Sequence, residues 1–186
     1  MTKRTRIFIG ILVAYALGVA FLMYRQLGDI DPRYRESAED SLVETAQLMA
    51  SLVETASPDG TLHVDALAPL FRTVYARRFV ADIYGIEKTR VELRVTVVDR
   101  QGTVVFDSRA LPGAVAAAAS APPSQLGADH SRWHDLYLAL RGRYGARTSP
   151  DVEGDPRTSV MYVAAPISDK PAGGIGGEII GAVRVG

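Results

Sequence analysis

The run Ile7–Tyr24, IFIGILVAYALGVAFLMY, is the feature around which the rest of the chain is organised. It holds eighteen consecutive residues without a charge, bounded by Arg6 and Arg25. At a rise of about 1.5 Å per residue, a helix of this length just crosses the hydrocarbon core of a bilayer, provided that it tilts or the bilayer thins. We therefore predict a transmembrane helix over residues 7–25.

The charges beside this run predict its orientation. Three basic residues lie within residues 1–6, whereas only Arg25 follows the run closely. The positive-inside rule then places residues 1–6 in the cytoplasm and residues 26–186 on the outer side of the membrane. A cleavable signal peptide is the main alternative. The apolar run of a signal peptide, however, is shorter than the run found here and is followed by small residues. A buried helix of a soluble protein is a weaker alternative, because no polar face interrupts the run.

Composition limits the class of protein. The chain has 186 residues, with 21 basic and 21 acidic side chains, and no cysteine. About 160 residues remain beyond the apolar run, which is enough for one domain with its own core. The balanced charge argues against nucleic acid as a partner, and the lack of cysteine excludes disulfides and thiolate metal sites. We predict no cofactor.

Two helices are predicted before the first strand. Asp31 and Pro32 read as an N-cap and a first helical residue, and nothing breaks a helix from there to Ala56. We expect this long helix to continue from the transmembrane helix, with a joint near Gly28. Its apolar residues form a seam, and a second set widens it toward a partner copy, although a plain amphipathic core helix explains the pattern equally well. The seam is Leu42, Ala46, Met49, Val53 and Ala56, and the second set is Leu48 and Leu52.

The remaining pattern predicts an α+β domain, with helices beside an antiparallel sheet. A second helix is expected over about 65–78, with Pro69 in its first turn. The other predicted segments are an irregular stretch over 79–88 with a turn at Gly85, a hairpin over 91–106 with its turn at 99–102, a flexible insertion over 109–126, a helix over 131–141 with Ser131 as its cap, a polar loop over 148–155, a strand over 158–167, a glycine-rich turn over 172–177 and a strand over 178–185.

No catalytic arrangement emerges from the residue pattern. Ser131, His134 and Asp135 are close in sequence, but on one short helix their side chains diverge by about 100° per residue. His130 and His134 have a spacing that can bind zinc, but without an obvious third ligand we interpret them as surface histidines. The glycines of residues 173–177 lead into a strand, which favours a hairpin turn over a phosphate loop.

A small-ligand site is the stronger hypothesis. Arginine forks bind carboxylates in a bidentate manner, and aromatic rings provide apolar walls. The predicted site residues are Arg147, Tyr144, Arg141, Trp133, Tyr162 and Asp107. Asp107 would pair with an amine on the ligand. The structural alternatives stay open: Arg141 pairs with Asp135, Trp133 lies in the core, and Asp107 caps a loop.

Several runs together carry a family resemblance. They are the hairpin that ends at residues 106–108, and residues 79–86, 131–133, 138–147, 159–167 and 180–186. These runs resemble the Cache/PAS-like class of extracytoplasmic sensor domains and, more narrowly, the periplasmic domain of CreC-type sensor histidine kinases. The likeness covers nearly the whole chain in matching order. It departs at the 109–126 insertion and at His130, where an aromatic residue is expected.

The resemblance implies a homodimeric kinase of the bacterial inner membrane. A second membrane span and a cytoplasmic kinase core are then expected after Gly186, acting on a response regulator, and no catalytic residue is expected within this chain. The stimulus would be a small molecule or a periplasmic protein. Three alternatives remain: the sensor domain of a chemoreceptor, that of a nucleotide cyclase, or a membrane-anchored periplasmic binding protein.

Overall fold

The computed structural model describes residues 3–112, 124–150, 159–169 and 177–186, and for residues 25–36 and 150 it describes the backbone only. Most of the predicted 109–126 insertion, most of the predicted turn at 172–177 and the second half of the 148–155 loop lie outside the described residues.

The chain forms an α+β fold, as predicted. Its elements are α1 (Lys3–Ala56), α2 (Leu67–Ala76), β1 (Ala81–Ile83), β2 (Ile86–Lys88), β3 (Val95–Asp99), β4 (Val104–Asp107), a 3₁₀ turn (Ser108–Ala110), α3 (His134–Ala139), β5 (Gly145–Pro150), β6 (Ser159–Ser168) and β7 (Ile179–Val185). Five strands form one antiparallel sheet in the order β4-β3-β7-β6-β5, and β1 and β2 form a separate hairpin.

The chain divides into two compact units, Met1–Asp40 and Ser41–Gly186. In the first unit, Lys3–Tyr24 is long and apolar enough to cross a membrane, and its apolar side chains are exposed. The backbone of α1 is helical through residues 31 and 32, so the predicted helix start at that point is not observed, whereas the predicted continuation of the apolar helix into a long helix is confirmed. A new helix needs a cap for its first backbone N–H groups. Here the preceding helical turns already provide acceptors for them, so no cap is needed at residue 31.

One face of the sheet carries the larger apolar core. Phe71 of α2 contacts Phe106 of β4, with their ring centroids 5.8 Å apart. The buried residues of this core are Ala46, Ala50, Val53, Leu67, Phe71, Tyr75, Val95, Val97, Phe106, Val163, Ala165, Ile167, Ile180, Val183 and Val185. The predicted seam of α1 therefore does face the core. Leu48 and Leu52, the predicted second set, are 65% and 38% exposed.

The opposite face packs against α3. Ala164 and Ala182 alternate with core residues along β6 and β7, so they point to the other side of the sheet. A second apolar cluster forms there, with Val98, Val104, Leu136 and Ala139 buried and Trp133 and Leu140 at its margin. The five-stranded sheet is thus covered by helices on both faces.

Two segments differ from the sequence prediction in kind. Residues 79–88 were predicted to be irregular but contain the β1–β2 hairpin, whose turn places Tyr84 and Gly85 at φ 53° and 83°. Paired positive φ values match the twist of a two-residue hairpin, and only the glycine signalled them. The second segment is β5, where the sequence predicted a connecting segment and a polar loop. The strand was missed because its residues are largely polar, as an edge strand of the sheet permits.

Two element boundaries also differ. Strand β3 begins at Val95, whereas the alternation of apolar residues predicted a strand from Val91. Helix α3 covers only residues 134–139, and its N-cap is Trp133, without a side-chain cap, rather than Ser131. Asp129 accepts the backbone N–H of Ser131 at 2.8 Å, so a tight turn precedes the helix.

Candidate ligand-binding site

The sheet face beneath α3 is lined with charged and aromatic side chains. Arg184 pairs across the sheet with Thr96 of β3 and Ala164 of β6, and Arg147 of β5 pairs with Tyr162 of β6. Because alternate residues of a strand share a face, the side chains that belong to this face follow from the register. They are Arg94, Thr96, Asp107, Arg147, Tyr162 and Arg184.

The first buried ion pair joins Arg94 to Asp107. The Nη2 of Arg94 lies 2.8 Å from Oδ2 of Asp107, and its Nε lies 3.3 Å from Oδ1. The two carboxylate oxygens also accept the backbone N–H groups of Arg109 at 3.1 Å and Gln125 at 2.9 Å. Asp107 therefore caps the 3₁₀ turn, as the structural alternative held, and both of its oxygens are occupied.

The second buried ion pair joins Arg184 of β7 to Asp135 of α3. The Nε of Arg184 donates to Oδ2 of Asp135 at 2.7 Å, and the two side chains are 2% and 0% exposed. The guanidinium carbon also lies 3.5 Å from the centroid of the Tyr162 ring and 4.4 Å from that of Trp133. Burial lowers the pKa of Arg184 and the carboxylate of Asp135 opposes that change, so the side chain stays charged.

Trp133 is the centre of an aromatic and cationic stack. The ring of His130 lies against it, with centroids 3.6 Å apart and planes 12° apart. The guanidinium carbon of Arg147 lies 4.8 Å from the centroid of the Trp133 ring. Burial, with a smaller effect of Arg184 and Arg94, lowers the pKa of His130 to about 4, so this imidazole is neutral at neutral pH.

Two buried polar atoms in this cluster lack a hydrogen-bond partner within the described parts of the chain. They are Nδ1 of His130 and Oδ1 of Asp135. The residues themselves are 3% and 0% exposed. An unpaired polar atom in such a buried position costs about 1–3 kcal/mol, which makes it a marker for a missing partner.

Two glycines set how closely α3 and its turn approach the sheet. At Gly145, a Cβ atom would lie 2.7 Å from Cα of Asp135, a separation that real side chains do not tolerate. At Gly102, which has a φ of 87°, a Cβ atom would lie 2.6 Å from Cα of Ser131. Both positions therefore require glycine, and both lie beside the segment that carries His130, Trp133 and Asp135.

The structure brings together four of the six predicted site residues. Trp133, Arg147 and Tyr162 share the stack with Arg184, and Asp107 lies under the same segment. Arg141 instead lies over its neighbour Tyr137, 3.5 Å from the ring centroid, and donates to the Tyr137 carbonyl. Tyr144 is 46% exposed.

Two interpretations made from the sequence are wrong. Arg141 does not pair with Asp135, because that carboxylate is bound by Arg184. His130 is not a surface histidine, because it is buried against Trp133, whereas His134 is exposed as expected. Within residues 3–112, 124–150, 159–169 and 177–186, no group of three or more potential ligands among His, Cys, Asp and Glu is arranged to hold a metal ion.

Four charged or polar members of the cluster were not predicted. Arg94, Asp135 and Arg184 lie at positions that alternate with the apolar residues of their strand or helix, and such positions usually face solvent. Of these four residues, His130 was the one that the sequence marked as unusual, because it stands where the resemblance calls for an aromatic residue. A flat ring at that position is what the stack on Trp133 uses.

No family model matches the chain, but comparison with known proteins shows that it is similar to a sensor protein. The sensor protein CreC of Escherichia coli K12 is 36% identical to it over 181 residues. The match covers 97% of this chain and 34% of that protein, so the chain spans about a third of the length of the relative. The predicted resemblance to a CreC-type sensor region is thereby confirmed. The apolar helix Lys3–Tyr24 is consistent with a location in the inner membrane.

Proposed function

We propose that this chain is the periplasmic signal-sensing region of a two-component sensor histidine kinase in the bacterial inner membrane. The observation that carries this proposal is the similarity to a sensor protein over nearly the whole chain. In this view residues 1–6 are cytoplasmic, residues 7–25 span the membrane, and residues 26–186 form a PAS/Cache-like domain. The kinase core lies beyond Gly186 and phosphorylates a response regulator, and residues 1–186 have no catalytic role.

Helix α1 is the element that we propose to carry the signal. Its C-terminal part belongs to the core of the unit Ser41–Gly186, where Ala46, Ala50 and Val53 are buried. Near its end, a carboxylate oxygen of Glu54 accepts the N–H of Ser168 at 2.8 Å and its hydroxyl at 3.0 Å. Both packing and hydrogen bonds therefore couple α1 to the sheet, so that a conformational change in the sheet alters the contacts of α1.

The proposed mechanism is a shift between two packings of a homodimer. A ligand that binds one packing better than the other changes their populations by its difference in affinity. Exposed apolar residues of α1, Leu48 and Leu52, are the proposed contact between the two copies. The signal then reaches the membrane through the same helix, which extends from Lys3 to Ala56.

The proposed function is tested on the full-length protein in membrane vesicles. Inserting two residues after Gly28 rotates one part of a helix against the other by about 200°. We expect autophosphorylation to be locked high or low, whereas an insertion of seven residues, about two full turns, preserves regulation. Normal regulation with the two-residue insertion would contradict transmission by a rigid helix. Absence of any autophosphorylation in the unmodified protein would contradict the kinase assignment.

A further inference from the structure

The cluster beneath α3 carries more positive than negative charge. Among the residues that the structure describes, three guanidinium groups, of Arg94, Arg147 and Arg184, meet two carboxylates, of Asp107 and Asp135. His130 adds no charge at neutral pH, since burial lowers its pKa to about 4. One further negative charge beside such a partly buried cluster would stabilise it.

The excess positive charge belongs to Arg147. Arg94 and Arg184 each bind a carboxylate, whereas Arg147 contacts the face of Trp133 and forms no ion pair within the described residues. Its side chain is half-buried, so its donors are partly shielded from water. A guanidinium fork in that condition is suited to a carboxylate, which it binds with two parallel hydrogen bonds.

The two unpartnered atoms, on Asp135 and His130, add a second requirement that a ligand of this site would have to meet. Oδ1 of Asp135 can only accept a hydrogen bond while the carboxylate is ionised, and Nδ1 of neutral His130 can accept or donate, depending on the tautomer. A hydroxyl group satisfies both kinds of partner, since it donates one bond and accepts others. An ammonium group would also satisfy Asp135, but it would bring another positive charge beside Arg184 and Arg94.

We propose that the site around Arg147 and Trp133 binds a small hydroxycarboxylate, whose carboxylate is held by Arg147 and whose hydroxyl is recognised by Asp135 and His130. The inference deepens the proposed sensing function and rests on it for the role of the ligand as a stimulus. It adds His130 and Asp135 to the recognition residues that the sequence predicted, and it excludes Asp107, whose oxygens are already occupied.

The test uses the whole chain of 186 residues in detergent micelles, with the fluorescence of Trp133 as the readout. Trp133 is the single tryptophan of the sequence, so its signal comes from the site itself. The probes are glycolate, acetate, which lacks the hydroxyl, glycine, which replaces it with an ammonium group, and inorganic phosphate. We expect a saturable change with glycolate and an affinity at least about tenfold weaker for acetate, the effect of one lost hydrogen bond to a charged group.

Each other result overturns a defined part of the inference. Equal affinity for glycolate and acetate removes the recognition of a hydroxyl. Tighter binding of glycine removes the argument from net charge, and a response to phosphate alone removes the carboxylate. No saturable change with any probe up to about 10 mM, the weak end of specific binding, overturns the ligand class.

Matched variants locate the binding. Arg147→Gln should weaken glycolate at least about tenfold. Arg141→Gln, which removes an arginine that also lies over an aromatic ring but outside the cluster, should leave the affinity unchanged. His130→Phe should retain the stack and lose most of the preference for glycolate over acetate. Should Arg147→Gln fail to fold by circular dichroism, Arg147→Lys tests the fork while keeping the charge. Binding as tight as that of the unmodified chain in either variant excludes Arg147.

The readouts separate this inference from the proposed function. Binding of glycolate to the chain without any effect on autophosphorylation of the full-length protein would support the site and contradict sensing through it. Regulated autophosphorylation without binding of glycolate would support the sensor and overturn the ligand class.

Discussion

The two faces of the central sheet are built on different physical principles. The face toward α1 and α2 is apolar and buries aliphatic and aromatic side chains such as Val53 and Phe71. The face toward α3 buries two ion pairs, Arg94–Asp107 and Arg184–Asp135, beside a smaller apolar cluster. Hydrophobic burial is non-directional and tolerates variation, whereas buried ion pairs are costly unless each charge keeps its partner. The first face therefore stabilises the fold through packing alone, whereas the second, which carries the proposed site, depends on each buried charge keeping its partner.

The largest expected effect is on the charged face. Asp135→Ala should lower the free energy of unfolding by about 3–5 kcal/mol, because it leaves Arg184 buried without a counter-charge. Denaturation of the whole chain in micelles, followed by circular dichroism, measures the change. The double variant Asp135→Leu with Arg184→Met should recover most of the loss. Glu87→Ala, at an exposed carboxylate of β2 outside the cluster, is the control. A double variant as unstable as Asp135→Ala would show that the pair is not what holds α3 to the sheet.

The next largest effect is the pH dependence of stability, which we expect from the charged face. His130 has a pKa of about 4 in the folded protein and about 6.5 when unfolded, so between these values only the unfolded chain takes up the proton. Stability should therefore fall as the pH drops from about 6.5 to about 4, by up to about 3 kcal/mol from this residue. The charges that face His130 are those of Arg184, Arg94, Asp135 and Asp107.

The measurement is a comparison of unfolding free energies at pH 7 and pH 4.5 for the unmodified chain and for His130→Phe. The variant should lose less stability on acidification, since it has no imidazole to protonate. An identical loss in both proteins would mean that His130 is not the group responsible.

On the apolar face, two neighbours in α1 provide a matched pair. Val53 is 1% exposed within the core and Leu52 is 38% exposed beside it. Val53→Ala should cost about 2 kcal/mol, from lost burial and the cavity that remains, whereas Leu52→Ala should stay within about 0.5 kcal/mol. Thermal unfolding of the two variants tests this difference. A large loss in Leu52→Ala would reveal a contact that the single chain does not contain, such as the proposed partner copy.

The smallest expected effect concerns the connection between α1 and the sheet. Glu54→Gln keeps an oxygen that can accept from Ser168 but removes its charge, so stability should fall by only about 1 kcal/mol. In the full-length protein, however, the variant should shift the balance between high and low autophosphorylation. Glu44→Gln, at an exposed position of the same helix, is the control. An unchanged output would remove Glu54 from the proposed path.

Local patterns in the sequence were sufficient wherever one element determines its own structure. The charge-free run of residues 7–24 predicts a long apolar helix, Pro69 falls in the first turn of α2, and the turn at Gly102 joins two paired strands. The last two strands were also predicted within one residue of their observed limits. In each case periodicity or turn chemistry acts over a few neighbouring residues.

Only the tertiary structure decided what lies on the second face of the sheet. Alternation along a strand shows that Arg94 and Thr96 share a face, but it cannot show whether that face meets solvent or another element. Here the close approach of Asp135 to Gly145 brings α3 over the polar side, and Arg184 is buried as a result. The sequence by itself thus determined the apolar helix, the strands and the core-facing seam, because these depend on local spacing. The charged cluster depends on residues far apart in the chain, such as Asp135 and Arg184, and only their packing brings them together.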